Sequence, residues 1–232
     1  MDILAVFFVL VIAYLLGSIP FGLIIVKIRT GKDVRNVGSG RTGGTNAMRA
    51  GGFFAGALTG ILDFSKAAVA VTVARFVLPG HPWLEVVSAL AAVLGHNYSI
   101  YLPEKRADGR WHLRGGAGGA PALGGSFGIW YPSFLIIFPF SALVFFLIGY
   151  ASVTTISVAF FTMLLFAYRA YMGLPGADWA YAIYGLISMV VVLWALRPNL
   201  KRLREGNERP VGLRAYFLKK TGKYPLTVKP RQ

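Results

Sequence analysis

Residues 37–49 of the chain read V-G-S-G-R-T-G-G-T-N-A-M-R. Glycines at 38, 40, 43 and 44 let backbone N–H groups turn into one concavity, Ser39, Thr42, Thr45 and Asn46 add neutral hydrogen-bonding groups, and Arg41 and Arg49 add fixed positive charge. That set suits a phosphate group. An ordinary polar turn has a similar composition, and the G-x-x-x-x-G-K-[ST] pattern of nucleotide-binding loops is absent, so the loop alone specifies neither a nucleotide nor a reaction.

Three later stretches carry groups of the same kind. A second glycine run, R-G-G-A-G-G-A-P-A-L-G-G, occupies 114–125 and contains Arg114, Gly115, Gly116 and Gly118; hydroxyls cluster in S-V-T-T-I-S at 152–157, Thr155 among them. The segment R-P-N-L-K-R-L-R-E-G-N-E at 197–208 brings Arg197 and Asn199. Charged or titratable groups inside apolar surroundings are few: Asp63, Lys66, Arg75, Glu85 and His96. Asp63 and Lys66 stand three apart and share a helix face, so an ion-pair scaffold is expected there, with His96 as a hydrogen-bonded structural group. With no cysteine and three histidines in all, thiolate chemistry and a cysteine-zinc site are excluded, and neither a metal nor a cofactor is expected.

The elements that must position these groups follow from hydropathy. The chain is 56% hydrophobic and only 14% charged, with a mean hydropathy of +0.60. That is too apolar for a soluble domain, whose charged share is about 25%. Apolar runs at 3–28, 53–78, 83–102, 117–129, 131–149, 152–170 and 178–196 predict an all-α integral membrane bundle of about seven transmembrane helices. Asp2, with no basic segment before Lys27, argues for a retained first helix, which Gly17, Ser18 and Pro20 should kink. Lys27, Arg29, Lys32, Arg35, Arg41 and Arg49 follow the first run; Lys105, Arg106, Arg110 and Arg114 follow the third; eleven Lys/Arg occupy 197–231. Connections near 79–82 and 171–177 carry none. The positive-inside rule then places the N-terminus outside, the C-terminus in the cytoplasm, and all four polar stretches at one cytoplasmic edge. A formal net charge of +15 distributed in this way favours anionic membrane lipids over nucleic acid as partner. The expected division is a membrane domain over 1–199 and a basic amphipathic tail over 200–232.

These residues resemble the bacterial membrane acyl-phosphate:glycerol-3-phosphate acyltransferases (PlsY). The family's G-S-I-P is similar to Gly17–Pro20, and its D-I-R-x-x-G-S-G-N-x-G-A-T-N-x-x-R is met by Asp33, Arg35, Gly38, Ser39, Gly40, Gly43, Thr45, Asn46 and Arg49. L-D-x-x-K is Leu62, Asp63 and Lys66, and G-H is Gly95 and His96. The pattern G-G-K-G-V-A-T-x-x-G is met by Gly115, Gly116, Gly118, Ala120 and Gly124, and Y-x-S-x-x-S by Tyr150, Ser152 and Thr155. The last motif, H-R-x-N-x-x-R-L-x-x-G-x-E, is met by Arg197, Asn199, Arg202, Leu203, Gly206 and Glu208.

The resemblance implies an enzyme of the bacterial plasma membrane that moves a fatty acyl group from acyl phosphate to glycerol-3-phosphate at the cytoplasmic face, giving lysophosphatidate and phosphate. On that implication Ser39, Arg49 and Asn199 orient and stabilise the reacting groups. Gly40, Arg41, Thr45, Asn46, Arg114, Gly115, Gly116, Gly118, Thr155 and Arg197 bind substrate. Acyl phosphate is an activated mixed anhydride, so positioning and charge neutralisation could supply most of the acceleration.

The chain departs from the family at four polar positions: Ala117 replaces a lysine, Pro121 a threonine, Leu196 a histidine, and Arg41 an asparagine. An insertion at 104–113 brings Arg106, Arg110, His112 and the adjoining Arg114 as candidate replacements for the missing cation, with Arg41 as another. Two other readings stay open at this level: a homologue that binds phosphate-bearing lipid without turnover, and a transporter, although a transporter would place broken helices and charges near the midplane.

Overall fold

The computed structural model describes residues 3–105 and 108–223, and Asp2, Arg106 and the last part of the expected tail, 224–232, lie outside them. All seven apolar runs become helix. The first is split: α1 (Ile3–Ser18) ends and α2 (Phe21–Thr30) restarts across Pro20, which has no N–H to continue the ladder. A single 3₁₀ turn, Val34–Asn36, leads into the glycine-rich loop. Then come α3 (Gly44–Val77), α4 (Pro82–Asn97), a hairpin of β1 (Pro103–Lys105) and β2 (Trp111–Leu113), α5 (Gly119–Ile129), α6 (Ser133–Leu143) with a π turn over Val144–Ile148, α7 (Ala151–Tyr171), α8 (Trp179–Arg204) and α9 (Gly212–Lys220).

Among the described residues, four helical stretches are long and apolar enough to cross a membrane: Ile3–Thr30, Gly44–Val77, Ala151–Tyr171 and Trp179–Arg204; Ser133–Ile148 is apolar but shorter. Their outer faces expose Phe7, Phe8, Phe76, Leu135, Phe160 and Trp194, as expected of helices solvated by lipid. Inside, small residues set the approach. Ala13 of α1, Ala67 and Ala70 of α3 and Ala92 of α4 form one buried cluster, so these backbones pack closely. The short helix α5 is wedged among α3, α4 and α7, its Ala122 and Leu123 packing with Val93, Ile137 and Val158.

Two features of the fold bear directly on the site. First, α3 breaks at Gly52, whose φ of 86° no L side chain adopts comfortably, and its first piece folds back so that Gly44 and Met48 lie against Gly56. The end of the expected loop is therefore helical, and Arg49 projects from a helix. Second, α8 runs unbroken through 199 and 200 to Arg204, with Pro198 inside it, so the expected division at 199/200 falls within one helix.

Candidate active site

A cavity of about 1040 Å³ opens where the glycine-rich loop, the start of α3, the start of α5, the start of α7 and the end of α8 converge. Its polar end is lined by six arginines, Arg35, Arg41, Arg49, Arg114, Arg202 and Arg209, against three carboxylates, Asp63, Glu104 and Glu208. Its other arm is apolar, walled by Ala57 and Gly60 of α3, Leu123 of α5, Phe138 and Ala142 of α6, Phe145 and Phe146 of the π turn, and Val158 of α7. Phe53, Phe138 and Phe146 line the cavity and are also exposed on the outside of the bundle, so this arm opens on the lipid-facing flank.

Asn46 builds the glycine-rich loop. Its side chain is buried, its Nδ2 hydrogens serve the carbonyls of Val34, Val37 and Arg41 at 3.0, 2.9 and 2.8 Å, and its Oδ1 accepts the Ser39 N–H at 3.1 Å. Asp33 caps the 3₁₀ turn by accepting the Arg35 N–H at 2.8 Å and holds the Arg35 guanidinium at 2.7 Å. That hydrogen bond keeps the Asp33 carboxyl below the usual carboxylate range. Gly40 turns the loop with φ 71°, and Ser39, Gly40, Thr45 and Arg49 all line the cavity. The first bonds of α3 run from the Asn46 and Ala47 N–H groups to Gly43 O, so the Gly44 and Thr45 N–H groups at the cavity wall have no place in the helix ladder.

The two candidate replacement cations go to different places. Arg114 is held by Glu104 of β1 at 2.9 Å and donates to Gly40 O at 2.9 Å and Arg35 O at 3.4 Å. His112 of β2 approaches the other Glu104 oxygen at 3.1 Å. The inserted hairpin thus clips the glycine-rich loop from outside. Arg41 instead reaches across the cavity: Nη1 donates to Gly116 O at 2.7 Å, Nη2 to Ala195 O, and Nε to Asn199 Oδ1 at 3.4 Å. Its two carbonyl partners immediately precede Ala117 and Leu196, two of the positions where the chain departs from the family pattern.

Asn199 passes the contact onward. Its Nδ2 donates to Glu208 Oε1 at 3.2 Å, and Ser152 Oγ donates to Glu208 Oε2 at 2.6 Å, both buried. Arg41, Asn199, Glu208 and Ser152 therefore form one hydrogen-bonded chain that joins the glycine-rich loop, α8, the stretch after it and α7. Thr155 and Gly118 line the cavity; Gly115 and Gly116 stand behind the wall, their carbonyls holding Thr42 N–H and Arg41. Gly116 also leaves room for His96, because a Cβ there would strike the imidazole ring. At the inner wall, Asp63 Oδ1 lies 2.9 Å from Lys66 Nζ and 3.4 Å from His96 Nδ1, while Lys66 also donates to Ile19 O at the α1–α2 break. The expected ion pair is present. Arg75 and Glu85 pair separately at the other end of α3, at 2.7 Å.

Arg197 does not join this set. Its guanidinium stacks on the Trp194 ring at 3.2 Å and its Nε donates to Trp194 O, on the outer face of α8. Residues 197 and 199 are two apart, about 200° around a helix, so the face that sends Asn199 and Leu196 inward sends Arg197 outward. Conversely, Glu208, Arg202, Arg209 and Ser152 line the cavity without having been singled out as ligands. The signal for Arg202 was available: it sits three residues after Asn199, on the same face of α8.

A family model for glycerol-3-phosphate acyltransferase matches residues 7–206. This chain belongs to the glycerol-3-phosphate acyltransferase family. A relative from Thermus thermophilus is 37% identical over 210 residues, covering 89% of this chain and 95% of the relative. One from Bradyrhizobium diazoefficiens is 31% identical over 206 residues, with the same coverage. Among solved structures, the crystal structure of PlsY (YgiH), an integral membrane glycerol 3-phosphate acyltransferase, in its glycerol 3-phosphate form superposes with a TM-score of 0.76 at 31% identity, covering 91% of this chain and 98% of that one. Its lysophosphatidic acid form superposes with a TM-score of 0.74 at 28% identity, covering 92% and 98%. The multi-pass, all-helical membrane architecture read from hydropathy is thus that of an integral membrane acyltransferase family.

Proposed function

We propose that this chain transfers a fatty acyl group from acyl phosphate to glycerol-3-phosphate, releasing lysophosphatidate and inorganic phosphate. One observation carries the reading: a single cavity joins an arginine-rich polar end to an apolar arm that opens on the bundle's lipid-facing flank. A water-soluble phosphorylated acceptor and a membrane-embedded acyl donor need that combination. The acceptor hydroxyl oxygen attacks the acyl carbonyl carbon, the carbonyl carbon–phosphate oxygen bond breaks, and the departing phosphate takes the hydroxyl proton. Arg49 and Ser39, with the N–H groups of Gly44 and Thr45, hold phosphate charge; Gly40, Gly118 and Thr155 shape the wall.

Arg41 is the cation that this chain uses where its relatives have other polar groups, because it binds the carbonyls beside Ala117 and Leu196. Asn199 orients Arg41; Asn46, Arg114, Gly115 and Gly116 hold the loop and wall in place. The bundle crosses the bacterial plasma membrane seven times with its N-terminus outside, and the cavity faces the cytoplasm, where the arginines of the first connection and of the C-terminal segment lie on one side and anionic lipids can accompany them. Purified protein given acyl phosphate and glycerol-3-phosphate tests the reading. Phosphate and lysophosphatidate should appear in equal amounts; binding of both substrates without product would establish a non-catalytic homologue instead.

A further inference from the structure

The segment after Glu208 lies beyond the residues matched by the family model, yet it is built into the cavity's mouth. Arg209 lines the cavity, and its carbonyl accepts from Arg49 Nη2 at 3.4 Å. Pro210 bridges to Tyr150, and the Val211 N–H donates to Gly149 O at 2.9 Å. Gly212 then lies against the Phe145 and Phe146 backbone, and the Arg214 guanidinium sits 4.8 Å from the centre of the Tyr150 ring, which fixes how α9 is rolled. With that roll, Leu213, Tyr216 and Phe217, spaced as one helical face, are 45%, 59% and 58% exposed.

Those side chains continue an apolar rim. Phe146, Leu147 and Ile148 of the neighbouring π turn are also exposed, on a chain whose outer surface is lipid-facing. Nine residues of helix extend about 14 Å, too short to cross a bilayer. Lys219 and Lys220 close the helix with positive charge. Lys220 falls on the same side of the helix as Leu213, Tyr216 and Phe217, one turn further on, so the exposed apolar patch ends in a cation, an arrangement that suits the boundary between acyl chains and headgroups.

We propose that α9 is an interfacial strap that seats its Leu213–Tyr216–Phe217 face in the bilayer and its lysines on anionic headgroups, and that through Arg209 and Gly149 this seating holds the mouth of the cavity in its working form. The coupling half rests on the acyl-transfer reading above; the seating half does not. Turnover then depends on anionic lipid. The full chain, which has no native cysteine, is to be reconstituted in vesicles of phosphatidylcholine alone or mixed with phosphatidylglycerol. A fluorophore on Phe217→Cys reports depth by quenching from headgroup-level lipid quenchers, and phosphate release reports turnover.

Quenching and turnover should both rise several-fold with phosphatidylglycerol. Lys219→Gln with Lys220→Gln, and high salt, should erase both differences. Quenching that ignores lipid charge and the lysine substitutions overturns the strap. Quenching that responds while turnover does not overturns the coupling. If no vesicle supports turnover, the acyl-transfer reading fails, and the coupling is then read from glycerol-3-phosphate binding, which phosphatidylglycerol should tighten; a lipid-independent affinity overturns it.

Discussion

Replacing Arg41 by alanine separates the two ways in which the chain could compensate for Ala117 and Leu196. The guanidinium donates to Gly116 O at 2.7 Å and to Ala195 O, and reaches Asn199 Oδ1 only at 3.4 Å. A hydrogen bond from a charged donor contributes about 1.5–3 kcal/mol, and the longer 3.4 Å contact to Asn199 orients the side chain more than it adds energy. Two such bonds sum to about 3–6 kcal/mol, of which water entering the cavity returns a part. A loss of about 2–4 kcal/mol in transition-state stabilisation is expected, or about 30- to 1000-fold in kcat/KM.

Adding Ala117→Lys to Arg41→Ala should recover part of that loss, because a lysine beside Gly116 returns a positive charge to the same stretch of wall. Arg114→Ala should behave differently. It frees Gly40 and Arg35 from the hairpin, raises KM more than it lowers kcat, and gains nothing from Ala117→Lys. Steady-state kinetics of the four variants in one detergent, with thermal unfolding as a folding check, decide the matter. Wild-type kinetics in Arg41→Ala, or activity that appears only when Ala117→Lys is introduced into an otherwise unchanged and inactive chain, would refute the assignment.

Arg49→Ala should weaken use of glycerol-3-phosphate by about 2–4 kcal/mol in kcat/KM, and Arg49→Lys should restore only part, since lysine lacks the planar two-pronged donor; both are read from initial rates. Asp33, whose carboxyl is held below its usual range chiefly by the hydrogen bond from Arg35, stabilises the loop while ionised. Because the folded-state pKa is the lower one, that contribution is present above about pH 4 and fades as pH falls through the folded value, so the difference in thermal stability between wild type and Asp33→Asn should shrink in acid. Cysteines placed one at a time at Thr221 and Met172 should label from opposite sides in intact cells, Thr221 from the cytoplasm and Met172 from outside; labelling of both from one side removes the proposed orientation.

What the sequence determined by itself was set by solvent. Apolar runs can bury their backbone polar groups in lipid only as helices. Hence the helical bundle, the kink at Pro20, the Asp63–Lys66 pair and the polar character of the 37–49 stretch were legible without coordinates. The helical piece of residues 44–51 was not, because its glycines disfavour helix locally and only the return packing of Gly44 and Met48 on Gly56 holds it. Nor could spacing alone say that Asn46 spends its amide on three loop carbonyls, or that Arg41 rather than Arg114 crosses to Gly116 and Ala195. Those choices belong to tertiary structure: a guanidinium goes where carbonyls of distant segments converge, and that convergence exists only once α5 and α8 have packed around the loop.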